Sequence, residues 1–233
     1  DPQLTDEINR HASTRLAEKA REAGVGRFVF SSSSSVYGVA DESTLIDEDA
    51  PLHPITAYAK SKAAAEREIR QLERQDFSPV CLRSATAYGP SPRIRFCTLV
   101  VHNLLGHAIS TGRILLKSDG SPWRPLVHVE DICRAFLAVL NAPRSAIHNC
   151  VFNVGQTSEN FRIRDIADTV QRTVPESVVE LADEHAADQR SYRVSFDRIA
   201  RRLPEFSPRW GLEEGCESLY RFLTDHHFGS ALF

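Results

Sequence analysis

Ile55-Thr-Ala-Tyr-Ala-Lys-Ser-Lys62 places Tyr58 and Lys62 four residues apart, downstream of the serine run Phe30-Ser-Ser-Ser-Ser-Ser-Val-Tyr-Gly38. Four residues is close to one helical turn, so the two side chains share a face. An ammonium beside a phenol favours phenolate and lowers the tyrosine pKa from its ordinary value of about 10. Tyr58 is therefore a candidate general acid or base. A serine hydroxyl at the end of a neighbouring strand can hydrogen-bond a carbinol or carbonyl oxygen held opposite it. Alone, Tyr-x-x-x-Lys is common on helices and describes a half-buried tyrosine beside a solvated lysine. The serine-rich strand end before it changes that reading.

Around this pair the chain has the make-up of one large domain, or of a domain with a smaller lobe: 233 residues, 42% of them hydrophobic. A net charge of -3, from 28 basic and 31 acidic residues, points to neither nucleic acid nor a membrane surface as partner. No apolar run approaches the roughly 20 residues of a spanning helix, and the acidic, polar first ten residues do not read as a secretory signal. Cys81, Cys97, Cys133, Cys150 and Cys216 are odd in number and widely spaced. A disulfide framework or metal site is not expected, and a reducing cytoplasm fits. His226 and His227 have no third ligand at metal spacing. The chain has no methionine and starts at Asp1, which reads as a fragment or a processed chain.

The pattern predicts a helix capped by Thr5 and ending at Gly24, and then a strand at Arg27-Phe-Val-Phe30. A polar loop follows over 39–54, a helix over 57–72 and a strand at Pro79-Val-Cys-Leu82. The stretch 83–95 reads as a loop, 97–108 as a helix and 113–116 as a strand. Further helices are expected over 129–140, 163–174, 196–203 and 212–224, with strands at 151–154 and 177–181. Strands alternating with helices imply a parallel α/β sheet. Residues 1–110 alternate regularly and form the expected nucleotide-binding part. Residues 111–233, with shorter elements, form the expected smaller lobe, with room for interleaving.

Several stretches in this order resemble the extended short-chain dehydrogenase/reductase family, and within it the NAD-dependent epimerase/dehydratase group acting on nucleotide sugars. They are the helix around Asn9, the serine run, Tyr58 with Lys62, Leu82-Arg-Ser-Ala-Thr-Ala-Tyr-Gly-Pro90, Pro125-Leu-Val-His-Val-Glu-Asp131 and Phe152-Asn-Val-Gly155. The resemblance implies a Rossmann-type fold, NAD as cofactor, a nucleotide-sugar substrate and a homodimer. It makes Ser33 the catalytic serine, with register leaving Ser34 and Ser35 as alternatives. Tyr58 would take the proton of the reacting hydroxyl. Lys62 would lower the Tyr58 pKa and bind the nicotinamide ribose. Asn9 and Ser31 are implied on the cofactor side, and Ser35, Thr86, Arg124 and, more loosely, Arg190 on the substrate side. His128 reads as structural. The helices over 5–23 and 56–73 are the implied dimer face, with alanines 57, 59, 63, 64 and 65 allowing close approach.

One departure stands out. Relatives open with a strand, a Gly-x-x-Gly-x-x-Gly turn and a helix that cradle the NAD pyrophosphate. Here the only close glycine pair, Gly24-Val-Gly26, follows a helix and precedes a strand, which is the wrong order. The family pattern places roughly 70–80 further residues before Asp1, so the chain as given is expected to bind NAD poorly. Dehydratases carry Asp-Glu after the catalytic Ser/Thr, where Ser34 and Ser35 stand here. Epimerisation therefore fits better than dehydration. A keto-sugar reductase of the same family, or an inactive fragment or interaction protein that binds no cofactor, remain the alternatives.

Overall fold

The computed structural model describes residues 1–39, 41, 44–94, 98–181 and 191–225. Its elements run α1 (Pro2–Asp6), a π-helical stretch (Glu7–Ala12), α2 (Ser13–Glu22), β1 (Arg27–Ser33), a 3-10 turn (Ser34–Tyr37), β2 (Leu45–Ile46) and α3 (Ala57–Arg70). There follow β3 (Ser78–Ser84), β4 (Thr86–Tyr88), α4 (Val100–Thr111), β5 (Arg113–Leu116), β6 (Trp123–His128), α5 (Val129–Asn141) and α6 (Arg144–Ile147). The chain continues through β7 (Val151–Val154), β8 (Asn160–Arg162), α7 (Ile163–Thr173), β9 (Val178–Leu181), β10 (Arg193–Val194), α8 (Asp197–Arg202) and α9 (Leu212–Asp225).

A parallel sheet in the order β1-β3-β7 holds the centre. β3 is buried along nearly its whole length, as an inner strand covered on both faces should be. Three short ladders surround this sheet: β4-β6-β8, β5-β9 and β2-β10. β7 comes from residues beyond 110, so the two expected parts interleave in sequence. One apolar cluster packs Val80, Leu82, Phe152 and Val154 of the sheet against Ala135 and Val139 of α5 and Ile199 of α8. A second unites α4, α7 and α9 around Leu105, Ile166 and Leu219. No helix among the described residues is long and apolar enough to cross a membrane.

Several expectations change. The first helix is capped by Asp1, whose carboxylate accepts from the amides of Gln3 and Leu4, with Pro2 in the first turn, where its missing N–H costs nothing. Thr5 instead lies inside the helix and donates its hydroxyl to the Asp1 carbonyl. The strand expected to stop at Phe30 runs on to Ser33, because serines can continue a ladder that is completed by β3. β4 and β6 were not expected: β4 is only three residues long, and the register Tyr88↔His128 is a long-range pairing that local pattern cannot reveal. Alanines 59 and 65 are buried within the chain itself, Ala65 packing with Ala17 of α2. Gly24, at φ 77°, ends α2 as a left-handed terminator, so the Gly24–Gly26 pair is a helix-to-strand turn.

A buried polar network ties α3 to the sheet. Arg83 of β3 is 4% exposed and Glu66 of α3 is 3% exposed. They form a two-pronged ion pair, with Arg83 Nη2 to Glu66 Oε2 at 2.7 Å and Nε to Oε1 at 3.0 Å. Ser32 of β1 donates to the same carboxylate. Arg83 also donates to the Tyr37 hydroxyl at 3.0 Å, which donates to Asn153 Oδ1 at 2.7 Å. Removing one partner of such a pair strands a charge in a low-dielectric interior. Arg83→Met is expected to destabilise the fold by about 3–5 kcal/mol, and Arg83→Met with Glu66→Met to recover most of the loss, read from denaturant melts.

Elsewhere, burial pushes the Glu159 carboxyl up to about 7, against a donated Leu212 amide. The fold thus holds a proton that the unfolded chain releases at lower pH, so stability falls as pH rises from about 4.5 through about 7. Glu159→Gln is expected to raise the melting temperature over the native protein at pH 8 and to leave it near unchanged at pH 5.

Candidate active site

The serine run ends β1 and turns at once into the 3-10 helix. Ser33, in extended conformation, caps that helix: its hydroxyl accepts from the Ser35 amide at 3.2 Å. After Tyr37 the chain reverses at Gly38, where φ is 71° and a Cβ would collide with the carbonyl of His53. α3 begins at Thr56, whose hydroxyl accepts from the Ala59 amide at 3.1 Å. The cap sets the first turn of α3 at the carboxyl end of β1, where the Ser33 side chain acts on the Tyr58 phenol and favours its ionised form. Tyr58 is 44% exposed, open to an incoming ligand.

Lys62 lies one turn further on, on the same face, with its ammonium 5.7 Å from the Tyr58 ring centre and 4.8 Å from that of Phe30. It donates to the Ser31 carbonyl at 2.8 Å. The expected electrostatic role of Lys62 is not met in this structure. The part of the Tyr58 side chain packed into the protein raises its pKa by desolvation, Ser33 opposes that rise, and Tyr192 adds to it. Burial lowers the Lys62 pKa, and Glu66 opposes it. The lysine charge is turned to a backbone carbonyl, and Ser33 is the group that favours phenolate.

The remaining expected residues are distributed unevenly. Ser31 is exposed at the end of β1, and its carbonyl holds Lys62. Ser35 points a buried hydroxyl with no hydrogen-bond partner among the described residues. Asn9 sits in the π-helical stretch and donates to the Thr5 carbonyl of its own helix at 3.0 Å. Thr86 opens β4, half-buried, opposite Leu126. Arg124 is 6% exposed and donates to the neighbouring Trp123 carbonyl at 2.7 Å, so it does not present a free fork to solvent. Arg190, like His226 and His227, lies outside the described residues. His128 caps α5, accepting from the Glu130 amide at 3.3 Å, and stacks on Trp210 at 4.2 Å.

Sequence reasoning missed Tyr192, which is 4% exposed, lies 3.4 Å from the Ser34 hydroxyl and influences Tyr58. Nothing local marks it, because it reaches the site from the far end of the chain. The Glu66–Arg83 pair was legible in part: a lone arginine in the apolar run Val80-Cys-Leu-Arg83 signals a buried partner.

The parallel sheet with helices packed against it defines an α/β fold. The chain belongs to the NAD dependent epimerase/dehydratase family, whose sequence pattern matches residues 1–155. It is similar to dTDP-D-glucose 4,6-dehydratase of Mus musculus, 28% identical over 191 residues that cover 78% of this chain and 50% of the mouse protein. An uncharacterized UDP-glucose epimerase of Bacillus subtilis (strain 168) is 24% identical over 223 residues, 95% of this chain and 68% of that protein. The solved structure of MoeE5 in complex with UDP-glucuronic acid and NAD is 28% identical, with a TM-score of 0.81 over 94% of this chain and 71% of that one. The chain thus spans half the length of the mouse relative.

The influence of Ser33 on Tyr58 yields a direct expectation. In difference titrations against Tyr58→Phe, the Tyr58 phenol should ionise above the ordinary tyrosine value, and Ser33→Ala should move it higher still. A fall on removing Ser33 would contradict the arrangement.

Proposed function

We propose that the chain forms part of an NAD-dependent nucleotide-sugar epimerase, with Ser33, Tyr58 and Lys62 as its catalytic set. The observation that carries this reading is the convergence of Ser33 and Lys62 on Tyr58 at the carboxyl end of β1, with Lys62 on the same helix face as Tyr58. NAD, when bound, accepts a hydride from the sugar carbon and returns it. Tyr58, in its ionised form, takes the proton of the reacting hydroxyl and returns it to the carbonyl oxygen on the way back. Ser33 holds that oxygen, and its hydroxyl steadies the phenolate. Lys62 has ammonium protons to offer beyond the one given to Ser31, which suits a ribose hydroxyl. Together with Asn9 and Ser31, it fits the nicotinamide end of the cofactor. The glycine pair before β1 is a helix terminator and does not fit a pyrophosphate.

Dehydration asks for a second acid and base beside the tyrosine. Ser34 and Ser35 supply hydroxyls there, and the nearby carboxylate Glu66 is bound to Arg83. Ser35, Thr86, Arg124 and Arg190 form the proposed sugar and diphosphate contacts. For Arg124 this requires its guanidinium to leave the Trp123 carbonyl. A homodimer through α1–α3 is supported by exposed Leu4, Ile8 and Leu16 on the first helices. Cys81, Cys133, Cys150 and Cys216 are free thiols, which fits a cytoplasmic setting.

The protein is expected to interconvert UDP-glucose and its 4-epimer. Tyr58→Phe should lower kcat by about 10²–10⁴ with NAD affinity retained, as followed by proton NMR and calorimetry. Turnover that survives Tyr58→Phe would refute the assignment.

A further inference from the structure

Ser84 ends β3 in register with Ser33 of β1 on one side and Val154 of β7 on the other. Its hydroxyl is buried and has no hydrogen-bond partner among the described residues. A buried hydroxyl without a partner is unfavourable by about 1–3 kcal/mol, so its retention beside a reactive group calls for a ligand. The backbone around it has no use for the side chain: the Ala85 amide already donates to the Val154 carbonyl at 3.0 Å. In-register neighbours of a parallel ladder point to the same side, with strands about 5 Å apart. The preceding pair behaves so, Ser32 and Arg83 both turning to Glu66. Ser33 and Ser84 therefore present two hydroxyls side by side at the strand ends, one accepting from the Ser35 amide and one uncommitted.

Direction assigns the uncommitted one. From Ser84 the chain passes through Ala85 straight into β4, which pairs with β6 and through it with β8. Ser84 thus lies on the side of Tyr58 and Ser33 that leads into the second ladder, where Thr86 and Arg124 stand. We propose that the Ser84 hydroxyl hydrogen-bonds the sugar hydroxyl adjacent to the reacting one, positioning the ring so that the reacting oxygen meets Ser33 and Tyr58. This rests on the nucleotide-sugar reading above. Ser84 is a positioning residue, because it takes no part in proton transfer.

The test is calorimetric titration of the chain and of Ser84→Ala with UDP-glucose and with its 3-deoxy analogue, in saturating NAD, alongside thermal melts without ligand. Ser84→Ala is expected to bind UDP-glucose roughly three- to tenfold more weakly and the 3-deoxy analogue as tightly as the native chain does. Its ligand-free melting temperature should be equal or higher, since an orphaned hydroxyl has been removed. Equal losses on both ligands, no loss on UDP-glucose, or a lowered melting temperature would overturn the role of Ser84 alone. Failure of the native chain to bind either ligand would overturn the nucleotide-sugar reading and this inference with it.

Discussion

The ion pair between Arg83 and Glu66 is the contact on which the rest of the site depends. Glu66 stands one turn beyond Lys62 and two beyond Tyr58, so whatever fixes Glu66 against the sheet also fixes the face that carries both. Arg83 binds it with two prongs from the middle strand, and Ser32 binds it from the edge strand, one residue before Ser33. A desolvated pair of this kind adds little net stability compared with an apolar replacement. Its value is geometric, since a forked guanidinium accepts a carboxylate in few orientations. The same arginine reaches Tyr37, and through Tyr37 and Asn153 the network spans β1's turn, β3 and β7. Strand order, helix placement and the catalytic face are thereby locked together.

Two local features finish the positioning. The Thr56 cap fixes where α3 begins, and the Ser33 cap fixes where the 3-10 turn begins. Each uses a side-chain hydroxyl to satisfy an amide that helix geometry would leave unpaired. As a result Tyr58, in the first turn of its helix, overhangs the last residue of β1. The phenol remains open while its partner hydroxyl is half-buried.

Much of this was legible in the sequence because it is local. The alternation of elements, α3 over residues 57–70 and the central strands follow from hydrophobic period and from the glycine that ends α2. Tyr58 and Lys62 follow from helical spacing, and Ser33 follows from the resemblance. What escaped is long-range. β4 and β6 exist only by pairing with each other, so neither has a pattern of its own. Tyr192 joins the site across more than a hundred residues. The source of the Tyr58 pKa shift was also invisible, because it turns first on burial of the phenol and not on the Lys62 charge. Spacing places a side chain on a face, but the Ser31 carbonyl decides its direction. The alanines of α3 show a similar limit, since small residues permit close approach without saying to what.

The central claim is that the pair beneath α3 brings the Tyr58 phenol and the Ser33 hydroxyl to one point, where a sugar oxygen is held. The most direct measurement is a crystal structure of the protein with NAD and UDP-glucose bound. The account predicts a single sugar oxygen within about 3 Å of both Ser33 Oγ and Tyr58 Oη, with the Arg83–Glu66 pair intact beneath them. A sugar bound away from this strand end, or a Tyr58 turned from Ser33 while the ion pair persists, would contradict it.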